Sequence, residues 1–233
     1  MWLNSKTRLL VISPHPDDEA IGVGGLIGKC IKEKAVVFVY YLCVGPNRQL
    51  VTGSTDEKIR LKEIKSIEKM TGIKTKIEIT NKQLHLDTVP QLDLINAIED
   101  VIESFKPSIV AIPSHSSYNQ DHRAVYSASI AALRPIPRKI RYYVPTVIEY
   151  FEPYFWSIGT PSPPNLYLDL SQEYKKGNLL DFKIKYYSCH KTQVREDPHP
   201  RSKKNLIRIA GVYGSQFGVK IAEAYYLIRQ SIC

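Results

Sequence analysis

Apolar positions along this 233-residue chain repeat with two different periods. Short unbroken runs, Leu9-Leu10-Val11-Ile12 first among them, read as parallel strands, because a strand covered on both faces has no polar side. Strands are expected over 8–13, 35–43, 74–80, 108–113, 144–150 and 166–170. Three-to-four spacing predicts helices over 19–32, 57–70, 92–105 and 121–132. Leu92, Ile95, Ile98, Val101, Ile102 and Phe105 form the core stripe of the third helix, and Lys106-Pro107 ends it. A last helix over 221–229 is expected to close the domain. Strand and helix alternate, which predicts a single-domain, Rossmann-like α/β fold: a mostly parallel sheet with helices on both faces.

The pattern loosens after residue 133. Arg134-Pro135-Ile136-Pro137 and the stretch 150–164, rich in proline and aromatics, read as long loops at the edge of a site. Tyr142, Tyr143, Tyr150, Tyr154 and Trp156 are expected to pack with a wet polar tip. A chain that is 43% hydrophobic at this length can bury one sizeable core. It contains no apolar stretch of the ~18–20 residues a membrane helix needs, and residues 1–6 lack the apolar centre of a signal peptide; a cytoplasmic protein without a transmembrane segment is expected. Cys30, Cys43, Cys189 and Cys233 form no CxxC pair and read as packing residues. The net charge of +9 is spread over helical faces alternating with acids, and no run of five basic residues occurs. The charge suits an anionic small molecule as well as it suits nucleic acid and decides little by itself; no nucleic-acid partner is expected.

The densest chemistry lies directly after the first strand, in Ser13-Pro14-His15-Pro16-Asp17-Asp18-Glu19. Open α/β sheets build their sites at strand carboxyl ends. Three carboxylates in one turn repel one another unless a positive group sits among them, and a divalent metal supplies one. Helix capping accounts for one or two such acids; it does not account for His15 held between two prolines, which stiffen the turn. The glycines that follow do not make a phosphate loop. In Gly22-Val23-Gly24-Gly25-Leu26-Ile27-Gly28-Lys29-Cys30 the Walker spacing is broken and Cys30 stands where Ser or Thr is required. The third glycine of a dinucleotide fingerprint is missing too. These glycines read as close packing of the helix on the sheet.

His15-Pro16-Asp17-Asp18-Glu19 resembles the signature of the PIG-L/LmbE-like superfamily of zinc-dependent N-deacetylases. Asn119-Gln120-Asp121-His122-Arg123 is similar to that family's second motif, and Arg60-Leu61-Lys62-Glu63, Pro164-Asn165, His190-Lys191-Thr192-Gln193 and Gly214-Ser215-Gln216-Phe217-Gly218 follow in the family's order. The resemblance runs from near residue 8 to near residue 228 and implies one deacetylase domain over 1–233. It implies one divalent metal, Zn2+, on His15, Asp18 and His122, a two-His, one-carboxylate set that leaves a position open. It implies Asp17 as general base toward water activated by the metal, and Arg60 and Asn119 as substrate-binding residues. A helix-surface Arg60 paired with Glu57 or Glu63 is the other reading of that residue. Where many family members carry a second His, this chain has Asn119, which donates a hydrogen bond but holds no positive charge; Tyr118, His115 or His190 could then assist with the proton or the oxyanion. The implied reaction removes the acetyl group from an N-acetylglucosamine-type sugar or conjugate, small or lipid-linked, in a protein whose oligomeric state is left open. A carbohydrate or nucleotide-sugar binding protein without turnover, and a hydrolase of a non-sugar amide, are the alternatives.

Overall fold

The structure, a computed structural model, describes residues 3–45, 47–49, 53–80, 85–137, 139–151 and 157–231. In chain order the strands are β1 (Arg8–Ser13), β2 (Val36–Val44), β3 (Asn47–Gln49), β4 (Gly53–Thr55), β5 (Lys74–Thr80), β6 (Ile109–Pro113), β7 (Thr146–Tyr150), β8 (Leu166–Asp169), β9 (Glu173–Tyr174), β10 (Gly177–Asn178) and β11 (Ala222–Gln230). The helices are α1 (Asp18–Lys32), α2 (Glu57–Thr71), α3 (Gln91–Phe105), α4 (Gln120–Ala132), α5 (Leu179–Tyr187) and α6 (Lys203–Phe217).

Seven strands form one sheet in the order β5-β2-β1-β6-β7-β11-β8. The first five are mutually parallel, and β11 runs antiparallel to β7 and β8. Period-two alternation along β1 divides the core. Leu9 and Val11 face a cluster with α1, α2 and α5, whereas Leu10 and Ile12 face one with α3 and α4. The sheet is therefore covered on both faces, as its apolar runs require. From β1 the chain winds out to β2 and β5, then returns to β6 on the other side of β1. The crevice between the carboxyl ends of β1 and β6 is thus the topological switch point, where such sheets bind ligands.

Helix α1 lies close on its neighbours because its inner face is glycine. A Cβ on Gly22 would come within 2.1 Å of the Tyr150 ring, and one on Gly28 within 2.5 Å of Phe182. The helix is kinked at Val23 (φ −133°, ψ 19°), and the amides freed there are taken up by Glu223, which accepts from Gly25 and Leu26 N–H at 2.9 Å each. Lys183 Nζ, 2.6 Å away, balances that buried carboxylate. Tyr150, Tyr142 and Tyr143 pack with bonded hydroxyls, on Ile12 O, Pro107 O and Ser231 Oγ; Tyr154 and Trp156 lie outside the described residues. Cys30 and Cys43 are buried and Cys189 is half-buried, none of them in a disulfide among the described residues, and Cys233 lies outside the described residues.

The fold corrects two expectations. Residues 221–229 are not a helix: β11 occupies 222–230, and pairing on both sides with β7 and β8 overrides the helix-forming Ala, Glu, Leu and Arg there. In α3 the inner position of the first turn is Leu94, and Leu92 points outward at 64% exposure. Helices α5 and α6 lie between 171 and 220, where the sequence pattern assigns no element. Asn178 and Asp181 form a reciprocal capping box on α5, and Ser202 caps α6 by accepting from Asn205 N–H.

Candidate metal centre and its surroundings

The loop after β1 delivers His15 and Asp18, and the first turn of α4, which follows β6, delivers His122. All three are buried, with ligand atoms within 4.8 Å of one another. His15 Nδ1 lies 3.4 Å from Asp18 Oδ2, Asp18 Oδ2 lies 3.1 Å from His122 Nε2, and His122 Nε2 lies 3.3 Å from His15 Nδ1. Bonds of ~2.0–2.1 Å to a tetrahedral zinc place neighbouring ligand atoms about 3.3 Å apart. The triangle is therefore one face of such a tetrahedron, and the donor set fits the ion. Burial alone would raise the Asp18 carboxyl, yet the facing imidazoles of His122 and His15 bring it well below the usual carboxylate range.

The ligands are held from behind. His15 Nε2 lies 2.8 Å from Asp121 Oδ2, and the other oxygen of Asp121 accepts from Leu86 N–H at 2.9 Å. A proton on Nε2 leaves the Nδ1 lone pair free to face the triangle, the usual arrangement for a ligating His. Asp18 Oδ2 also accepts from His15 N–H at 3.0 Å, and Ser13 Oγ donates to His15 O at 2.7 Å.

Asp17, adjacent to a ligand, is 2% exposed and adopts φ 121°, a left-handed conformation rare for a residue with a Cβ. Its carboxylate faces two guanidinium groups: Arg60 Nη2 lies 3.8 Å from Oδ1, and Arg201 is ion-paired to Oδ2. Arg201 precedes α6, and burial pushes its guanidinium down to about 10, so it stays charged at neutral pH. Arg60 is 1% exposed and donates to Pro16 O at 2.7 Å. This corrects the reading of a solvated Arg60: it clamps the metal-site loop. Glu63 instead accepts from Thr192 N–H and Oγ1. Behind Asp17, Glu19 is fully buried against Tyr41 and His190.

Asn119 is the N-cap of α4, its Oδ1 accepting from Asp121 N–H at 2.9 Å. Tyr118 is 60% exposed. His115 is half-exposed, with Nδ1 3.0 Å from Glu149 Oε1. His190 is fully buried with Nε2 2.8 Å from Glu19 Oε1, which places it behind the loop and away from any substrate. The fold thus brings His15, Asp17, Asp18, Arg60 and His122 together. Sequence reasoning did not assign Asp121, Glu19 or Arg201 to the site. Asp121 and Glu19 had a signal in their adjacency to ligands. Arg201 had none, because it sits in a basic cluster that reads as surface.

The PIG-L family profile, described as GlcNAc-PI de-N-acetylase, matches residues 10–133. The uncharacterized deacetylase YaiS of Escherichia coli K12 is 29% identical over 160 residues, covering 64% of this chain and 80% of that protein. The diacetylchitobiose deacetylase of Thermococcus kodakarensis is 26% identical over 241 residues, 94% of this chain and 82% of the relative. Among solved structures, the 4-carboxy-2-hydroxymuconate hydratase GalB of Pseudomonas putida superposes with a TM-score of 0.70 at 17% identity, over 97% of this chain and 98% of its own. The likeness to GalB is one of fold.

Proposed function

The chain belongs to the PIG-L family, and we propose that it is a zinc-dependent N-deacetylase acting on an N-acetylglucosamine-type sugar or sugar conjugate, releasing acetate and a free amine. The observation that carries this reading is the buried triangle of His15, Asp18 and His122, with edges of 3.1–3.4 Å, and the buried Asp17 next to Asp18 in the chain. A zinc ion held there supplies a Lewis acid for the acyl oxygen and makes water acidic enough to be deprotonated near neutral pH.

The chain's own residues do the rest. His15 is fixed in one tautomer by Asp121. Asp17 takes a proton from the attacking water as the new C–O bond forms. It returns that proton to the amide nitrogen as the C–N bond breaks, so the products balance as acetate and amine. Arg201 and Arg60 orient the two oxygens of Asp17. Arg60 serves binding through the loop it clamps at Pro16, and Asn119 retains an amide N–H for a substrate oxygen while its Oδ1 caps α4. His115, held by Glu149, and the exposed Tyr118 are the residues left to assist. No helix among the described residues is long and apolar enough to cross a membrane; a small amino-sugar substrate met in the cytoplasm is part of the same proposal.

An amine-release screen over N-acetylglucosamine, N,N'-diacetylchitobiose and lipid-linked N-acetylglucosamine tests it. Turnover of at least one is expected. Saturable binding without amine release from any of them would favour a carbohydrate-binding role.

A further inference from the structure

The left-handed backbone of Asp17 (φ 121°, ψ −25°) needs an explanation, because such a conformation persists only where the surroundings over-determine it. The surroundings are specific. Asp17 N–H donates to Glu19 Oε2 at 2.9 Å. The other oxygen of Glu19 accepts from Tyr41 Oη at 2.9 Å and lies 2.8 Å from His190 Nε2. Glu19, Tyr41 and His190 all have zero exposure, so none of them touches a substrate.

We propose that Glu19, braced by His190 and Tyr41, is a positioning residue that locks the Asp17 turn so that the carboxylate faces the metal triangle. This rests on the reading of Asp17 as the base. The bracing joins three distant parts of the chain: the turn after β1, strand β2, which carries Tyr41, and the segment after α5, which carries His190. It also explains why a carboxylate stands at 19. Three donors converge on it, the Asp17 amide, the Tyr41 hydroxyl and His190 Nε2–H, and only an acceptor-only group satisfies all three. A Gln there would turn an amide N–H against a donor. His190 therefore acts through Glu19, and Glu19 acts through the backbone of Asp17.

The test is a double-mutant cycle with a second readout that needs no turnover. In the zinc-loaded protein with N,N'-diacetylchitobiose, Glu19→Gln is expected to lower kcat by about 10- to 100-fold, as misplacement of a reacting group by about an ångström does, with KM and zinc stoichiometry unchanged. In the Asp17→Asn background the same substitution is expected to cost less than about twofold, because the group it positions is already gone. Additive losses would mean a general structural role and overturn the proposal. In the metal-free protein, Glu19→Gln is expected to speed hydrogen exchange of the Asp17 amide while leaving that of Leu10 in β1 unchanged. Unchanged Asp17 exchange overturns the proposal whether or not any sugar is deacetylated, whereas absence of turnover in the wild type with that exchange effect present counts only against the proposed function. Tyr41→Phe, which removes one donor, gives a milder variant for the same readouts should Glu19→Gln fail to fold.

Discussion

His15 Nε2 and Asp121 Oδ2 lie 2.8 Å apart, 106 residues apart in sequence, across the crevice between β1 and β6. Asp121 is held in turn by Leu86 N–H and has no exposure. Its position is set independently of any ion. Asp121→Asn keeps the shape and loses the charge that fixes the His15 tautomer. It should weaken zinc binding by about 10- to 100-fold, measured by competition with a chelator; an unchanged affinity would remove Asp121 from the account.

Asp17→Asn should retain one zinc per chain and lose about 10²- to 10⁴-fold in kcat, the usual worth of a general base. Loss of zinc together with activity would make Asp17 a ligand instead.

Arg60→Ala leaves the buried Pro16 carbonyl without its donor, an omission that typically costs about 1–3 kcal/mol. The melting temperature should fall, and Arg60→Lys should recover part of the loss. A wild-type melt for Arg60→Ala would mean that the guanidinium is not a structural clamp.

Two glycine substitutions should diverge. Gly22→Ala drives a Cβ to 2.1 Å from Tyr150 Cδ2 and should destabilise by about 1–3 kcal/mol as overpacking does. Gly211→Ala, inside α6 with nothing within 4 Å, should stabilise by up to about 1 kcal/mol from helix propensity. Chemical denaturation of both variants reads the difference.

Glu99 of α3 is bound by Arg141 and Arg134. The Arg141 hydrogen bonds outweigh burial and, with Arg134, bring its carboxyl below the ordinary 4.5. Stability from this group is full above the unfolded value and is lost as pH falls through the lower folded value. Glu99→Gln should therefore lower the melting temperature at pH 7, and the gap to wild type should narrow progressively as the pH falls below the ordinary carboxylate value and through the lower folded one. A gap that does not narrow at all as the pH is lowered would mean that packing, not charge, is what the substitution removes.

Much of this architecture is legible in the chain because it is written in local periods. The unbroken run Leu9–Ile12 announces a strand covered on both faces, and the cluster after it marks the strand's carboxyl end. What escapes is non-local. The segment Ala222–Gln230 carries helix-forming residues and becomes a strand only because β7 and β8 flank it. Gly211 and Gly214 disguise α6, although Gly214 is there because the Lys220–Ile221 backbone passes within 2.7 Å of where a Cβ would sit. Arg201 is a surface residue by composition and an Asp17 partner by folding. Its contact spans 184 positions, and no spacing rule reaches that far.

Acetate release from N,N'-diacetylchitobiose, followed while zinc is added to the chelator-treated protein, tests the metal centre and the reaction together. The account predicts no release without zinc, a linear rise, and a break at one equivalent per chain. Release that is undiminished by chelation, or one zinc bound with no acetate formed, would contradict it.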